Sequence, residues 1–429
     1  LVVKTFRQNF GMSPSEMFDS FSKHATNAAS IGQVHKASLN GKTLAVKIQY
    51  PGVADSVKSD LKLVKPIAMR MMGVKEKEIK QYLDEVESKL LEETDYELEL
   101  KQSMEVGSAC KDLVGIYFPN YYPELSADRI LTMDWLEGMH IKEFLKTNPT
   151  QEIKNQIGQR LWDLYDFQLN KLKAIHADPH PGNFLFKADG SVGVIDFGCV
   201  KRIPEEFYSK YFQLMDDRLL HGSDDELMSL FIDLDFITTE DSDEERHMFF
   251  DVFKNLMQLL TMPFRADEFY FGGDKYYNSV HEYGLELSKR KDLKKAGSAR
   301  GSKHLVYVNR TYLGLYSMLN ELNATIKTTV SFNFDKEKRN YISWNKTEDS
   351  NTMQLVINRY KTDKHFGCRK CMLPKHMVDA IEMLILKTNP NIILPYDGET
   401  NVKLFLNLSE NMLGKRISSI FSKDGTKTT

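Results

Sequence analysis

The apolar and polar positions of the chain form strand-like and helix-like patterns in turn, and the first clear element is a hairpin. Residues 30–39 and 42–49 are strand-like runs, and Asn40-Gly41 separates them. Asn-Gly favours a type I′ turn because both central residues of that turn need positive φ. The pattern therefore predicts a β-hairpin over residues 30–49.

Two longer segments have the pattern of helices. Residues 76–106 are rich in Glu, Lys and Leu and contain neither Pro nor Gly, which predicts one long helix. Residues 152–175 place apolar side chains at helical spacing and predict an amphipathic helix. Between them, residues 129–136 have the pattern of a strand that ends at Glu137-Gly138.

A turn-rich loop at residues 176–183 precedes a second predicted hairpin, whose tip is Asp189-Gly190. Residues 205–325 are mostly helical in pattern. A sheet-rich amino-terminal half followed by a helical half predicts a bilobal α+β fold, with a sheet-containing lobe and a mainly helical lobe.

The pattern changes again beyond Lys327, where strand-like segments precede a predicted amphipathic helix at residues 375–387. We interpret this last part as a small α+β unit of its own. The predicted domains are an amino-terminal lobe at residues 1–138, a carboxy-terminal lobe at residues 139–325 and an appendage at residues 326–429.

The composition is that of an ordinary globular protein, with 41% hydrophobic and 27% charged residues in a chain of 429. The formal net charge of −3 gives no reason to expect nucleic-acid binding. Charge is uneven, since residues 205–246 carry fourteen acidic and three basic residues, and residues 288–304 carry seven basic and one acidic residue. Solvated surfaces explain both runs, and contact with anionic lipid is the alternative for the basic run.

Four cysteines are too few for a disulfide framework and favour a reducing compartment, so we expect a cytoplasmic protein. No apolar stretch approaches the roughly 18–20 residues that span a bilayer, so any membrane contact is expected to be peripheral. Cys368 and Cys371, with His365 and His376 nearby, fit a zinc site, although free thiols are the simpler interpretation. The chain begins at Leu1, and we expect it to be a piece of a longer protein.

The turn-rich loop carries the strongest chemical signal. Residues 176–183 fit the pattern H-x-D-x-x-x-x-N, in which Asp178 is the candidate to accept a proton or orient a nucleophile. The tripeptide D-F-G at residues 196–198 follows across the second hairpin, which would fold Asn183 and Asp196 back together. One carboxylate and one amide oxygen, together with substrate phosphates, suit Mg²⁺. The combination predicts a site for ATP and Mg²⁺ in which Asn183 and Asp196 hold the metal.

A candidate phosphate cation lies in the first hairpin. Ala45-Val46-Lys47 resembles the V-A-I-K strand of kinases, so Lys47 is expected to pair with phosphate oxygens. The upstream segment aligns with the loop G-x-G-x-x-G-x-V, but only its third glycine, Gly32, is kept. Alanine in place of glycine limits positive φ and should stiffen this loop. The candidate nucleotide-binding residues of the loop are Ala28, Ala29, Ser30, Gly32, Gln33 and Val34.

Acidic residues elsewhere complete the candidate site. The Glu-rich helix offers Glu93, Asp95 and Glu99, and Glu99 is the preferred candidate to orient Lys47 through a charge-assisted hydrogen bond. Asp134, in the predicted strand between the two long helices, is a further nucleotide-binding candidate. The candidates for catalysis are therefore Lys47, Glu99 and Asp178.

The alanine-rich loop, the Gln-Tyr-Pro-Gly-Val segment after the lysine, and the segments HADPHPGNFLF and VIDFG together resemble the UbiB family of atypical kinases. The resemblance covers roughly residues 1–325. It implies a protein-kinase-like fold, Mg²⁺-dependent ATP binding, and an activity closer to an ATPase or small-molecule kinase than to a protein kinase. It also implies that Lys47 pairs with Glu99, that Glu93 and Asp95 form an ExD element, and that the protein supports isoprenoid-quinone biosynthesis.

The sequence departs from the family pattern at two places. Asn27 stands where the alanine-rich loop of the family usually has a third alanine, and the amino-terminal KxGQ segment of the family has no counterpart in the sequence as given. The resemblance implies ATP as a ligand and leaves open a lipid or quinone-precursor ligand and a peripheral membrane surface as partners.

The segment after D-F-G bears on the kind of kinase. Only Cys199–Ile203 separates D-F-G from Pro204, and no A-P-E follows, which leaves little room for a peptide-docking segment. This argues against a conventional protein kinase. A small-molecule phosphotransferase of the aminoglycoside or choline type is the nearest rival enzyme, and a non-catalytic ATP-binding scaffold is the rival from another class.

Overall fold

The structure is a computed structural model of the 429-residue chain. It describes residues 1–29, 31–72, 84, 87–215, 219–220, 222–266, 268–296 and 300–328, and strands at residues 340–346, 352–361, 364–365 and 370–374. The described residues belong to two compact units. One contains residues 1–211 and 231–331, and the other contains residues 212–230 and 332–429.

Twelve helices are numbered here in the described part of the chain. They are α1 Val2–Phe10, α2 Pro14–Met17, α3 Val53–Met72, α4 Tyr96–Cys110, α5 Ile141–Lys146, α6 Gln151–Phe167, α7 Glu205–Tyr211, α8 Asp224–Asp233, α9 Asp243–Leu260, α10 Lys275–Lys289, α11 Lys291–Ala296 and α12 Lys303–Glu321. Shorter 3₁₀ turns lie at Pro123–Leu125, Pro181–Asn183, Phe212–Met215 and Met262–Arg265, and a π-helical turn lies at Gln168–Leu172.

Sixteen strands are described. They are β1 Ser20–Phe21, β2 Asn27–Ala29, β3 Gly32–Leu39, β4 Lys42–Gln49, β5 Ile116–Tyr117, β6 Ile130–Asp134, β7 Ala174–His176, β8 Phe184–Phe186, β9 Val192–Val194, β10 Val200–Arg202, β11 Glu268–Tyr270, β12 Thr325–Lys327, β13 Asn340–Lys346, β14 Thr352–Lys361, β15 Lys364–His365 and β16 Lys370–Pro374.

The amino-terminal part of the larger unit is an antiparallel five-stranded sheet. Its order is β1-β3-β4-β6, with β2 paired to β3. The predicted first hairpin is confirmed, because Leu39 pairs with Lys42 and both turn residues, Asn40 and Gly41, have positive φ. The predicted strand at residues 129–136 is confirmed as β6.

Helix α1 closes one face of this sheet. Phe6 of α1 is fully buried against the sheet residues Val46, Ile48 and Ile130. Burial of large apolar side chains of this kind is the dominant stabilising term in a domain core. The other side of β6 contacts α4, where Tyr96 is buried. The strand that carries Lys47 is therefore packed between two helices.

The long helix predicted over residues 76–106 is wrong as a single element. Residues 87–92 are helical, a turn occupies residues 93–94, and α4 begins at Tyr96. The cause is Asp95, whose carboxylate accepts a hydrogen bond from Leu98 N and caps the new helix. Because of this break, α4 need not continue in the direction of the preceding helical segment and can pack against the sheet.

The middle of the unit holds short strands around the predicted turn-rich loop. Helix α6 starts at its Thr150 cap and gives way to a π-helical turn before Lys173, so the predicted helix at residues 152–175 is too long at its carboxyl end. Strand β7 occupies the end of that range and pairs with β10. The second predicted hairpin is confirmed as β8 and β9, which form a sheet with β5.

The segment from residue 205 to residue 325 is mainly helical, as predicted, with one small exception. Strands β11 and β12 pair antiparallel, and β12 contacts α6. Helix α12 buries a continuous apolar face that includes Val308, Leu315 and Leu319. No helix among the described residues is long and apolar enough to cross a membrane.

The smaller unit contains the strands beyond residue 339. Strand β14 is central, with β13 on one side, β16 on the other and β15 continuing from its end. The strand-like pattern of residues 341–345 and 353–360 is thereby confirmed. The predicted helix at residues 375–387 and Cys368 lie outside the described residues, so the zinc alternative stays a prediction.

Candidate active site

Three charged residues from three separate elements meet at the centre of the candidate site. Lys47 Nζ on β4 lies 2.8 Å from Glu99 Oε1 and 3.0 Å from Glu99 Oε2 on α4. The same nitrogen lies 3.1 Å from Asp196 Oδ2, just after β9. Hydrogen bonds between charged groups are about twice as strong as neutral ones. Lys47 therefore ties the sheet, α4 and the D-F-G segment together.

The charges of this cluster are not balanced, because one cation faces two carboxylates. Burial opposes the charged form of Lys47, but Asp196 and Glu99 outweigh burial and raise the pKa of Lys47 well above its usual value. Burial raises the pKa of Glu99 to about 7, against the opposing pull of Lys47. Burial also disfavours ionised Asp196, yet Lys47 and the Gly198 N–H keep its pKa below the usual value. Of the two carboxyl groups, Asp196 is therefore the one whose ionised form the cluster favours, and Glu99 is the one whose ionised form burial disfavours.

The turn-rich loop presents Asp178 beside Asn183. Asn183 Nδ2 donates to the carbonyl oxygen of Asp178 and to its Oδ2, each at 3.0 Å. Gly182 N donates to His180 Nδ1 at 3.0 Å, so the imidazole of His180 holds the loop in shape. His176 is buried between the rings of Phe184 and Phe197, and burial lowers its pKa. The ring contacts of His176 and the hydrogen bond to His180 therefore hold the loop in place, while the Asp178 side chain remains one-third exposed.

The second hairpin brings the two predicted metal ligands together. Ile195 N donates to Asn183 O at 3.1 Å, which places Asn183 opposite the residue that precedes Asp196. Because Asn183 Nδ2 is bonded to Asp178, Asn183 Oδ1 is the amide atom suited to a metal. The oxygen donors of Asn183 and Asp196 fit Mg²⁺, which binds through one or two protein ligands plus phosphates. No group of three His, Cys, Asp or Glu residues that could hold a metal exists among the described residues.

Strands β2 and β3 pair with each other on either side of the alanine-rich loop. Ala28 pairs with Gln33, and Ala29 pairs with Gly32, while Ser30 lies outside the described residues. A Cβ on Gly32 would meet Ile48 O at 2.4 Å. The one retained glycine is therefore required by the close approach of β3 to β4, since any side chain there would collide with backbone.

Two other predicted nucleotide-binding residues have different surroundings. Val34 lies directly opposite Lys47 in the sheet. The carboxylate of Asp134 accepts hydrogen bonds from Tyr122 Oη at 2.6 Å and from Asn120 Nδ2 at 2.6 Å. The Asp134 side chain is thus engaged by protein groups, and the prediction that it binds nucleotide stays untested.

The two residues of the predicted ExD element separate. Asp95 caps α4, as described above, whereas Glu93 lies half-buried near the metal candidates. Burial, together with the negative charges of Asp178 and Asp196, raises the pKa of Glu93. Glu93 therefore adds a further acidic group to the site, and Asp95 has a structural contact.

Two residues at the site were missed by sequence reasoning. Tyr96 is buried directly after Asp95, and Lys47 Nζ lies 5.1 Å from the centre of its ring. Arg310 of α12 donates from Nη2 to Asp178 Oδ1 at 2.6 Å. No motif marks Arg310, because it lies 132 positions after Asp178 and only the packing of α12 brings them together.

The segment after D-F-G is as short as predicted. Strand β10 follows at once and pairs with β7, and Cys199 O accepts from Ala177 N at 2.8 Å. Helix α7 begins at Glu205. The residues that follow the metal candidate are therefore tied back to the strand that leads into the turn-rich loop.

Comparison with known proteins identifies a family match. The family model described as ABC1 atypical kinase-like domain matches residues 1–228. The probable serine/threonine-protein kinase abkA of Dictyostelium discoideum is 27% identical over 77% of this chain and 60% of its own length. The atypical kinase COQ8, mitochondrial, of Saccharomyces cerevisiae is 29% identical over 62% of this chain and 52% of its own length. The chain thus spans about half the length of the curated relatives it matches.

One solved structure extends the likeness to most of the chain. The Mycobacterium tuberculosis protein Rv3197, solved as a complex with erythromycin, matches with a TM-score of 0.59 and 25% identity. The match covers 76% of this chain and 80% of that protein. Together with the family match, it confirms the predicted kinase-like α+β fold.

Proposed function

The chain belongs to the ABC1 atypical kinase-like family, and from this premise we propose that it binds ATP with Mg²⁺ and transfers or hydrolyses the γ-phosphoryl group. The observation that carries the proposal is the contact of Lys47 with both Glu99 and Asp196. A cation held between a helix carboxylate and the D-F-G aspartate is the arrangement that phosphoryl transfer needs, because its catalysis depends on positioning and charge.

Each residue has a proposed role that its surroundings support. Lys47 neutralises phosphate oxygens, and Glu99 fixes the direction of its ammonium group. Asp196 and Asn183 would hold Mg²⁺, which supplies charge neutralisation at the phosphates when it is bound. Asp178 orients the attacking hydroxyl group or water and accepts its proton.

The loop residues are proposed to contact the phosphates through backbone rather than through side chains. Ala28 pairs with Gln33 and Ala29 pairs with Gly32, and an alanine side chain has no polar atom that could contact a phosphate. Alanine restricts the loop to fewer backbone conformations than glycine does. We therefore expect a change in the backbone conformation of this loop to change the affinity for nucleotide.

The acceptor is proposed to be water or a small molecule rather than a peptide. The support is the short connection between D-F-G and α7, which β10 ties to β7. The family relatives carry the name of kinases, which supports phosphotransfer at a coarse level. A role in isoprenoid-quinone biosynthesis follows from the UbiB resemblance and stays a hypothesis.

Location is also a hypothesis. Relatives named mitochondrial and chloroplastic, from yeast and from Arabidopsis thaliana, favour an organelle as the alternative to the cytoplasm that we expected. A peripheral membrane surface and a lipid or quinone-precursor ligand remain the proposed partners. Fractionation of cells that express the full-length protein would decide among these locations.

The test of the proposal is ATP hydrolysis with Mg²⁺, measured with and without liposomes and a quinone-precursor mimic. Asp196→Asn should lower turnover at least about 100-fold, because it removes a metal ligand. Asp189→Asn, the same change at the exposed tip of the second hairpin, is the matched control and should keep full activity. Equal turnover in wild type and Asp196→Asn would contradict the proposal.

The variant Asp178→Asn distinguishes an enzyme from a non-catalytic ATP-binding scaffold. If the protein is an enzyme, this change should abolish turnover and leave the nucleotide-dependent rise in melting temperature in place. Binding without turnover in the wild type under every condition would favour the scaffold. A phosphorylated small molecule recovered from a metabolite pool would favour the phosphotransferase.

A further inference from the structure

The candidate site holds more carboxylates than cations. Asp178, Asp196, Glu93 and Glu99 are grouped there, and Lys47 is engaged by two of them. The turn-rich loop itself, residues 176–183, contains neither Lys nor Arg. A transferring phosphoryl group needs positive charge on its equatorial oxygens as well as at the metal. The loop has no residue of its own to supply that charge.

Among the described residues, Arg310 is a cation that contacts Asp178 directly. Its Nη2 lies 2.6 Å from Asp178 Oδ1, and its side chain is 54% exposed. A guanidinium has five N–H donors in a rigid plane, so one bond to Asp178 leaves most of its donor capacity directed elsewhere. About half of the Arg310 side chain is exposed, so the donors not bonded to Asp178 are accessible to a phosphate.

The position of Arg310 is set by a close packing contact one helical turn away. Gly314 lies four residues after Arg310 and therefore on the same face of α12. A Cβ on Gly314 would meet Pro179 Cγ at 2.2 Å and Pro179 Cβ at 2.7 Å. Pro179 directly follows Asp178. The glycine thus lets α12 lie against the loop and places the guanidinium beside the catalytic candidate.

Resting on the function proposed above, we propose that Arg310 is a further catalytic residue, which contacts the γ-phosphoryl group of the bound nucleotide. In the step, an acceptor oxygen forms a bond to the γ-phosphorus and the bond to the β–γ bridging oxygen breaks. The acceptor proton passes to Asp178, and ADP leaves with the electron pair of the broken bond. Arg310 neutralises the equatorial oxygens while it holds the Asp178 carboxylate in place.

The first test compares ATP with ADP, because only ATP carries the group that Arg310 is proposed to contact. Arg310→Met should weaken ATP binding about 10- to 100-fold, the range for a hydrogen bond to a charged group, and should leave ADP binding unchanged. Turnover should fall about 100-fold. Arg290→Met is the matched control, since Arg290 makes an ion pair of the same 2.6 Å length with Asp292 away from the loop.

A second test restores the missing group chemically. Free guanidinium at millimolar concentration should raise the turnover of Arg310→Ala and have no effect on Arg290→Ala. Gly314→Ala keeps the guanidinium but displaces Pro179 or α12, so it should reduce turnover without rescue by guanidinium. A merely structural Arg310 would show equal losses for ATP and ADP and no rescue.

The outcomes separate this inference from the proposed function. Faster turnover in Arg310→Met would overturn the inference, because it would make Arg310 an inhibitory latch on Asp178. Unchanged turnover and unchanged ATP affinity would overturn it as well. If wild type and Asp196→Asn are equally inactive, the proposed function fails. The comparison of ATP and ADP affinities then still decides whether Arg310 contacts the γ-phosphoryl group.

Discussion

Glu99 offers a prediction that can be made from the folded structure without any assumption about activity. Its side chain is 3% exposed, and burial raises its pKa to about 7. In the unfolded chain a glutamate titrates near its ordinary pKa of about 4.5. A difference of roughly 2.5 pKa units corresponds to about 3 kcal/mol between the two protonation states.

The sign follows from which state holds the proton. Between about pH 4.5 and pH 7 the unfolded Glu99 has lost its proton and the folded Glu99 still holds it, so stability falls as pH rises through this window. Glu99→Gln cannot ionise and should not show this loss. Relative to wild type, the variant should therefore gain about 2–3 kcal/mol between pH 5 and pH 8, or roughly 3–5 °C in melting temperature for a unit of this size.

The assay is thermal unfolding of the nucleotide-free protein in EDTA at half-unit steps from pH 5 to pH 8. The comparison with the variant is needed because buried His176, whose pKa is lowered, makes stability rise with pH over part of the same window. Glu97→Gln, an exposed residue of the same helix, should follow the wild-type curve. A difference between Glu99→Gln and wild type that stays constant across this pH range would refute the reasoning.

Other consequences of the geometry are equally direct. Gly32→Ala should destabilise the protein by about 2 kcal/mol or more, because its Cβ would collide with Ile48 O. Gly41→Ala meets open space and should cost only about 1 kcal/mol through its positive φ, so equal melting temperatures for the two variants would contradict the packing argument. Lys47→Met should lower turnover at least about 100-fold in the ATPase assay, and unchanged turnover would exclude Lys47 from the chemistry. Removal of Mg²⁺ by EDTA should abolish the ATP-dependent rise in melting temperature, and a rise that persists would show metal-independent binding.

The elements predicted well from sequence are those whose signals are local. Asn40-Gly41 and Asp189-Gly190 both adopt turns that need glycine at positive φ, and this requirement is visible in the dipeptides themselves. The contact between Lys47 and Glu99 was expected as well, although from family resemblance more than from spacing. The failure at residues 93–95 came from reading a run of helix-forming residues as one helix. The cap formed by Asp95 outweighed helix propensity there.

What sequence could not predict depends on packing between distant segments. Gly314 looks like an unfavourable residue in a helix, and only its contact with Pro179 explains it. Arg310 follows from that contact and has no signal of its own. Similarly, the carbonyl of Ile48 on the next strand gives a packing reason for Gly32 that the loop motif does not show. Each case needs the three-dimensional neighbour, which no periodicity or motif supplies.

The same packing bears on the acceptor proposed for the turn-rich loop. Because β10 returns directly to β7, the residues after D-F-G do not extend over Asp178 as a docking segment. Helix α12 lies against the loop instead, and Arg310 covers one oxygen of the Asp178 carboxylate. An acceptor that approaches Asp178 must therefore pass a guanidinium, which favours water or a small anionic or polar molecule over a folded peptide. We therefore expect substrate selection to depend on Arg310 and the Asp178 carboxylate rather than on a peptide-binding groove.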